Sequence, residues 1–343
     1  MVNDGRRSGD GRLLFAVPGR EEGYKAKGEE GSAVSNAPDA MGRRRFLALA
    51  GGAAAALAAA DRHAARPGRT PMLTRRIPRT GEELPAVGLG TWQTFDVDED
   101  AARRAPLREV LRRYFEAGAR LIDSSPMYGR SEGVVGDLLR GAPWATQAFV
   151  ATKVWTNGRA AGAAQMAESE RRMGGRIDLM QVHNLLDWQE HLPTLRDWKE
   201  QRRIRYTGVT HYAPSAFDEL ERILRTERVD FVQLPYSVGV REAEQRLLPA
   251  ARDTGTAVIV MRPFEAGAIL RELRAKPLPA FAGELGATSW PQLLLKWILA
   301  HPAVTAVIPA TSNPRHAADN LVAGLGRLPD ERQRAQLAAA VGA

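Results

Sequence analysis

Three polar residues close three short apolar runs at a constant stride along this chain. Asp123 follows Leu121-Ile122, Lys153 follows Phe149-Val150-Ala151-Thr152, and His183 follows Leu179-Met180-Gln181-Val182. Apolar runs this short, separated by helix-like stretches, read as buried parallel strands of successive βα units. The alternation continues on both sides. It predicts strands at 86–91, 120–123, 148–153, 177–183, 206–210, 229–234, 257–261 and 304–308. Helices are predicted near 106–117, 131–140, 160–173, 190–203, 214–227, 242–253, 289–300 and 314–324. Gly118, Gly141, Gly175 and Gly255 stand where helices should stop. Eight strands in strict alternation with helices predict an α/β fold, a closed (β/α)8 TIM barrel. Residues 74–85 read as an N-terminal hairpin cap and 330–343 as an extra C-terminal helix. In such a barrel all strand C-termini open on one rim, where active sites sit, so an acid, an amine and an imidazole would converge there.

The sequence pI near 10 suggests nucleic acid, but the charge is unevenly placed. Residues 1–80 hold 15 Lys and Arg against 8 Asp and Glu, while the remainder holds 33 against 32. The body is nearly neutral, which argues against a nucleic-acid partner. Cysteine is absent, which excludes disulfides, thiolate zinc sites and thiol nucleophiles. Gly88 and Gly90 do not make a dinucleotide fingerprint, because Gln93 stands where its third glycine belongs. His191 and His301 read as surface helix residues.

The leader divides in two. Residues 1–40, rich in Gly, Arg, Glu and Ser, have too few large apolar residues to offset ordering entropy and are expected to be disordered. Residues 41–65 carry Arg43-Arg44-Arg45-Phe46-Leu47 and then an Ala-rich apolar run to Ala60. This resembles a bacterial twin-arginine export signal. It implies a partner in the twin-arginine export machinery, an exported or periplasmic location, a start at Met41, and cleavage around Ala60 or Ala65. The location is cytoplasmic if the signal is not used. The run is too short for a stable membrane span. The folded domain is then 66–343.

The predicted rim residues suit proton chemistry. Tyr128 follows Asp123 in Asp123-Ser124-Ser125-Pro126-Met127-Tyr128, so its loop would fold the phenol back over the rim. A phenol with a pKa of about 10 is a poor acid at neutral pH. A nearby ammonium should lower that value, and a carboxylate should hold the ammonium in place. Asp123, Lys153 and Tyr128 would then form a general acid, with His183 donating a hydrogen bond to a carbonyl oxygen. No metal is needed, and no zinc-ligand spacing is present.

These residues resemble the aldo-keto reductase family. The stretch Gly118 to Glu132 is similar to its G-x-x-x-x-D-[TS]-x-x-x-Y-G-x-[S]-E signature, Ala151-Thr152-Lys153 to its A-T-K segment, and Asp178 to His183 to its D-L-x-x-x-H segment. The resemblance spans about residues 74 to 325 and implies reduction of a small-molecule aldehyde or ketone by NADPH bound without a Rossmann fold. It places Thr91 and Trp92 beside the nicotinamide and Gln233 on its carboxamide. Ile308 to Asn320 matches the adenosine-phosphate segment and contributes Thr311, Ser312, His316 and Asn320. Thr210 and His211 stand at the family's Ser-Asn pair. Met261 stands where an aromatic stacks on the nicotinamide, so the stacking is either lost or replaced by Arg262 packing on the ring. Ala310 replaces a lysine for the 2′-phosphate, with Arg315 able to compensate, which brings NADH into play.

Two rival readings stay open: a lyase or aldolase with Lys153 as a Schiff-base amine, and a non-catalytic nucleotide-binding barrel. The leader generates its own test. Replacing Arg43 and Arg44 by Lys should leave the protein folded, active and unprocessed in the cytoplasm of its bacterial host. Cell fractionation that finds the unaltered chain never processed would contradict the signal.

Overall fold

The computed structural model describes residues 70–342. The expected extension 1–40 and export signal 41–65 lie outside the described residues.

Strands β1 (Thr74–Arg76) and β2 (Glu83–Pro85) form an antiparallel hairpin. Strands β3 (Leu89–Gly90), β4 (Leu121–Asp123), β5 (Phe149–Val154), β6 (Leu179–His183), β7 (Tyr206–Thr210), β8 (Phe231–Pro235), β9 (Ala257–Met261) and β10 (Val304–Val307) pair in sequence order, all parallel. Parallel bridges from Val87 to Val307 and from Gly90 to Ala310 join the last strand to the first. The result is the closed (β/α)8 barrel expected. The first strand is shorter than expected because its other edge meets β10 only through those two bridges.

Among the described residues ten α-helices alternate with or follow the strands: α1 (Ala101–Glu116), α2 (Ser131–Leu139), α3 (Arg159–Arg172), α4 (Trp188–Glu200), α5 (Phe217–Glu227), α6 (Leu247–Thr254), α7 (Ala268–Leu273), α8 (Trp290–Leu299), α9 (Pro314–Val322) and α10 (Glu331–Val341). Three differ most from expectation. Helix α6 begins at Leu247 rather than near 242, because Glu242–Glu244 form a separate 3₁₀ turn. Helix α1 begins five residues before Pro106, because Asp100 caps it by accepting from the Ala102 N–H at 2.8 Å. The proline then removes one helical hydrogen bond without setting the boundary. Helix α7 was hidden in the Pro- and Gly-rich stretch 264–288, and six residues are too few to show a period. Gly118 and Gly255 do stop α1 and α6, with φ of 91° and 66°.

Strand periodicity sorts the side chains into two cores. Val150, Val154, Met180, Val182, Val232 and Val258 face outward against the helices. Leu121, Phe149, Ala151, Leu179, Tyr206, Phe231, Ala257 and Ile259 fill the interior, closed below by Ile77 and Leu84 of the hairpin. Phe149, Tyr206 and Phe231 pack ring against ring there, with centroids 5.3 to 6.0 Å apart. Two residues further along each strand, the same inward face turns polar: Asp123 above Leu121, Lys153 above Ala151, Gln181 above Leu179 and Gln233 above Phe231. The aromatic layer is thus the floor of the polar one. Gly208 keeps its inward position empty, since a Cβ there would stand 3.0 Å from Gln181 Cγ. Phe231→Ala should cost about 3–5 kcal/mol in chemical denaturation. A loss below about 1 kcal/mol would contradict this account of the interior.

Candidate active site

Lys153 is fully buried. Its ammonium donates to Asp123 Oδ2 at 2.6 Å and to the Ser124 carbonyl at 2.7 Å. Asp123 Oδ1 accepts from Gln181 Nε2 at 3.1 Å and from Gln233 Nε2 at 2.9 Å. The carboxylate is fastened from three sides. Burial alone would lower the lysine pKa, but Asp123, then Tyr128 and Glu132, raise it above the ordinary value. Lys153 is therefore held as a cation.

Tyr128 lies on the loop leaving β4, with Lys153 Nζ 5.3 Å from its ring centroid. Here one expectation fails. Burial raises the phenol pKa, Lys153 lowers it and Asp123 raises it, and the net direction is up. The ammonium is already neutralised by a carboxylate at 2.6 Å, so the phenol feels a dipole rather than a bare charge. Tyr128 stays protonated.

His183 meets the Tyr128 ring edge-on, with centroids 5.8 Å apart and planes at 84°. Its Nδ1 lies 2.9 Å from Ser125 Oγ. That hydroxyl also accepts from the Met127 N–H at 3.3 Å and has a proton of its own to give to Nδ1. In the tautomer where it does so, the imidazole carries its proton on Nε2. Burial, then Lys153 and His211, lower its pKa to about 2, and it remains neutral. The sequence reading missed Ser125, although its place two residues after Asp123 puts it within reach of the rim. It also missed Gln181.

The residues assigned to cofactor binding fall into groups. Thr91 is buried, and its hydroxyl bonds the Asp123 carbonyl at 3.0 Å and Ser124 Oγ at 2.9 Å, stitching β3 to β4. Gln233 is committed at both ends, to Asp123 and to Thr210 Oγ1 at 3.3 Å. His211 stacks on Tyr212 with centroids 5.3 Å apart. Arg262 lies over the Tyr212 ring, 6.0 Å from its centroid, while Met261 stands half-buried at the end of β9. Ser312 and His316 are exposed around the start of α9. Thr311 bonds the Asn313 N–H at 3.0 Å and shapes that turn. Asn320 is buried beside Tyr114 of α1 rather than open on the rim.

Among the described residues, the exposed large apolar side chains are Trp92 (45%), Met127 (39%), Trp155 (40%) and Tyr212 (51%). All four leave C-terminal strand ends, so they make an apolar wall above the polar layer. Trp155 is held in place because Gln165 bonds both its N–H, at 2.6 Å, and its carbonyl, at 3.1 Å. His191 braces the same loop. It is buried, not a surface residue, with Nε2 2.7 Å from the Thr156 carbonyl. His301 is likewise half-buried, edge-on to Tyr236.

His183 generates a pH prediction. Its folded pKa lies below the unfolded value of 6.5, so its contribution to stability is present above 6.5 and is lost as pH falls toward 2. The unfolding free energy of wild type relative to His183→Gln should fall by up to about 1.4 kcal/mol per pH unit below that point. The kcat profile should show no inflection near 6.5. A difference in stability that stays constant from pH 7 to about 4 would contradict the assignment.

Comparison with known proteins agrees with this geometry. The model of the Aldo/keto reductase family matches residues 86–339. Methylglyoxal reductase YeaE of Escherichia coli is 29% identical over 245 residues, covering 69% of this chain and 84% of that protein. The NADH-specific methylglyoxal reductase of Escherichia coli is 25% identical over 313 residues, covering 73% and 93%. A crystal structure of an aldo/keto reductase from Klebsiella pneumoniae, in complex with NADP and acetate, superimposes with a TM-score of 0.65 at 28% identity, covering 77% of this chain and 93% of the other. Since the family match spans almost the whole barrel, including every strand that carries the polar layer, the chain belongs to the aldo/keto reductase family.

Proposed function

We propose that this protein reduces a small-molecule aldehyde or ketone to an alcohol with NADPH, and that NADH can serve in its place. The observation that carries the reading is the buried Lys153–Asp123 pair beneath a protonated Tyr128 and a neutral His183. A charged lysine in that position is a poor Schiff-base amine, which disfavours the lyase reading. Methylglyoxal is the first substrate to try, because two of the relatives are methylglyoxal reductases.

The residues present fit a nicotinamide nucleotide. Asn184 Oδ1 is buried at the rim with no partner among the described residues. The N-terminus of α9 presents exposed Arg315 and His316 beside exposed Ser312, an arrangement suited to a phosphate. Ala310, also exposed, offers no charge to a 2′-phosphate, which is consistent with use of NADH. The bound cofactor supplies a hydride to the carbonyl carbon. His183 Nε2–H holds the carbonyl oxygen, and Tyr128 gives that oxygen its proton as negative charge develops there. The resulting alkoxide is far more basic than a phenolate, so the transfer is favourable even from a phenol of raised pKa. Lys153 stabilises the phenolate until solvent returns the proton, and Asp123 keeps Lys153 aimed. Trp92 and Trp155 wall the substrate side.

Export through the twin-arginine route is part of the same proposal. It is supported by the Arg43-Arg44-Arg45-Phe46-Leu47 motif and the Ala-rich run behind it. Among the described residues no helix is long and apolar enough to cross a membrane.

Tyr128→Phe should still bind NADPH, read by tryptophan fluorescence, while methylglyoxal reduction falls by at least about 10²-fold. Lys153→Met should fall similarly, and the double variant should be little worse than either. Reduction by Tyr128→Phe at near the wild-type rate would remove Tyr128 from the proton-donor role.

A further inference from the structure

The polar layer faces into the barrel, yet a carboxyl group stands behind it that the reduction does not touch. Glu132 lies in the first turn of α2 and is buried. Strand alternation puts Lys153 on the inner face of β5 and its neighbour Thr152 on the outer face, with Val150 and Val154. Glu132 meets that outer face, where Thr152 Oγ1 donates to its Oε1 at 2.6 Å. Its Oε2 accepts no hydrogen bond among the described residues, and the Arg172 guanidinium stands 3.8 Å away. Burial raises the carboxyl pKa, and Thr152 lowers it without reversing the direction. A half-paired carboxyl between a strand and a helix costs stability, and an apolar side chain would suit the space better. Its value lies in what it joins.

Both ends of this hydrogen bond are one step from the proton-transfer groups. Thr152 directly precedes Lys153. Ser131, directly before Glu132, donates twice to the Tyr128 carbonyl, from its N–H at 3.2 Å and from its hydroxyl at 2.8 Å. Tyr128 is thus gripped by the first turn of α2, and Glu132 fastens that turn to the strand end that carries Lys153. The helix has little slack, because α2 packs on the end of α3 so closely that a Cβ on Gly136 would collide with the Arg172 carbonyl. On the inner side of β5, Lys153 Nζ stands 5.3 Å from the Tyr128 ring centroid. We propose that Glu132 is a positioning residue for the reduction, which through Thr152 fixes the spacing between the Tyr128 phenol and the Lys153 ammonium.

This inference rests on the carbonyl-reduction reading and can fail separately from it. Thr152→Val keeps the side-chain shape and removes the donor. With NADPH and the best carbonyl of a panel, its kcat per NADPH-binding site should fall at least about tenfold, since small misplacements of reacting groups cost that much or more. The NADPH dissociation constant, read by tryptophan fluorescence, should not move. Thr152→Ser keeps the hydroxyl and should recover most of the loss. Glu132→Ala removes the acceptor and should lose as much as Thr152→Val, whereas Glu132→Gln keeps an acceptor and should recover most of it. In a Tyr128→Phe background, Thr152→Val should slow the residual reduction little further, because groups that act as one unit are not additive. Three results would each overturn the tie and leave the reductase reading standing. One is a Thr152→Val that melts lower but turns over as wild type does. Another is a Glu132→Gln as slow as Glu132→Ala. The third is a loss that persists undiminished in Tyr128→Phe. If wild type binds NADPH but reduces no carbonyl, the reductase reading itself fails and takes the tie with it.

Discussion

The ion pair between Lys153 and Asp123 governs the protonation state of the whole rim. Another buried lysine in the same chain shows what the carboxylate contributes. Lys296, like Lys153, has no exposed surface, and among the described residues its ammonium donates only to backbone carbonyls, those of Leu325 and Arg327. Burial lowers its pKa to about 8. Lys153 is desolvated at least as strongly, yet its pKa is raised. The difference is a carboxylate at 2.6 Å that is itself fixed by two glutamine amides. A buried pair of this kind contributes little net stability, since desolvation consumes most of the Coulombic gain. Its use here is to keep a cation in place under a phenol.

The neighbours follow from that cation. His183 cannot take a second proton beside it in a buried site, so it stays neutral, with Nδ1 held at Ser125 Oγ. Tyr128 keeps its proton until charge appears on the bound oxygen. Lys153, Asp123, Gln233 and Thr210 are tied to one another or to backbone within the layer, whereas Gln181 Oε1 has no partner among the described residues. The loops above are braced in the same way, by Gln165 and His191 behind Trp155 and Thr156. Such bracing is the structural form of preorganisation.

The chain displayed the barrel openly, because a buried parallel strand must be apolar on both faces and a helix must stop at a residue that tolerates positive φ. Asp123, Lys153 and His183 were legible for the same reason, being polar residues that end apolar strands. What stayed hidden depends on angles and distances that no spacing encodes. Gln181 looks like an ordinary strand residue until Gly208 leaves room beside it. The packing of Asn320 beside Tyr114, where α9 meets α1, is likewise invisible in the spacing. The direction of the Tyr128 shift is hidden because the sequence shows an ammonium nearby but not the burial of the phenol, which outweighs it, nor the carboxylate that partly offsets it. His191 reads as a surface residue in the sequence because a helix's inner and outer faces are hard to separate when the barrel side also carries polar atoms, here the Thr156 carbonyl.

The central claim is that Lys153 stays an ammonium because Asp123 balances it. The most direct measurement follows the Nζ resonances of ¹⁵N-lysine-labelled protein from about pH 7 to about pH 11. The account predicts that Lys296 titrates near 8, while Lys153 keeps its ammonium shift beyond 10.5, the ordinary lysine value. In Asp123→Asn, Lys153 should titrate well below that value. A wild-type Lys153 that loses its proton at or below the pH at which Lys296 does would contradict the account.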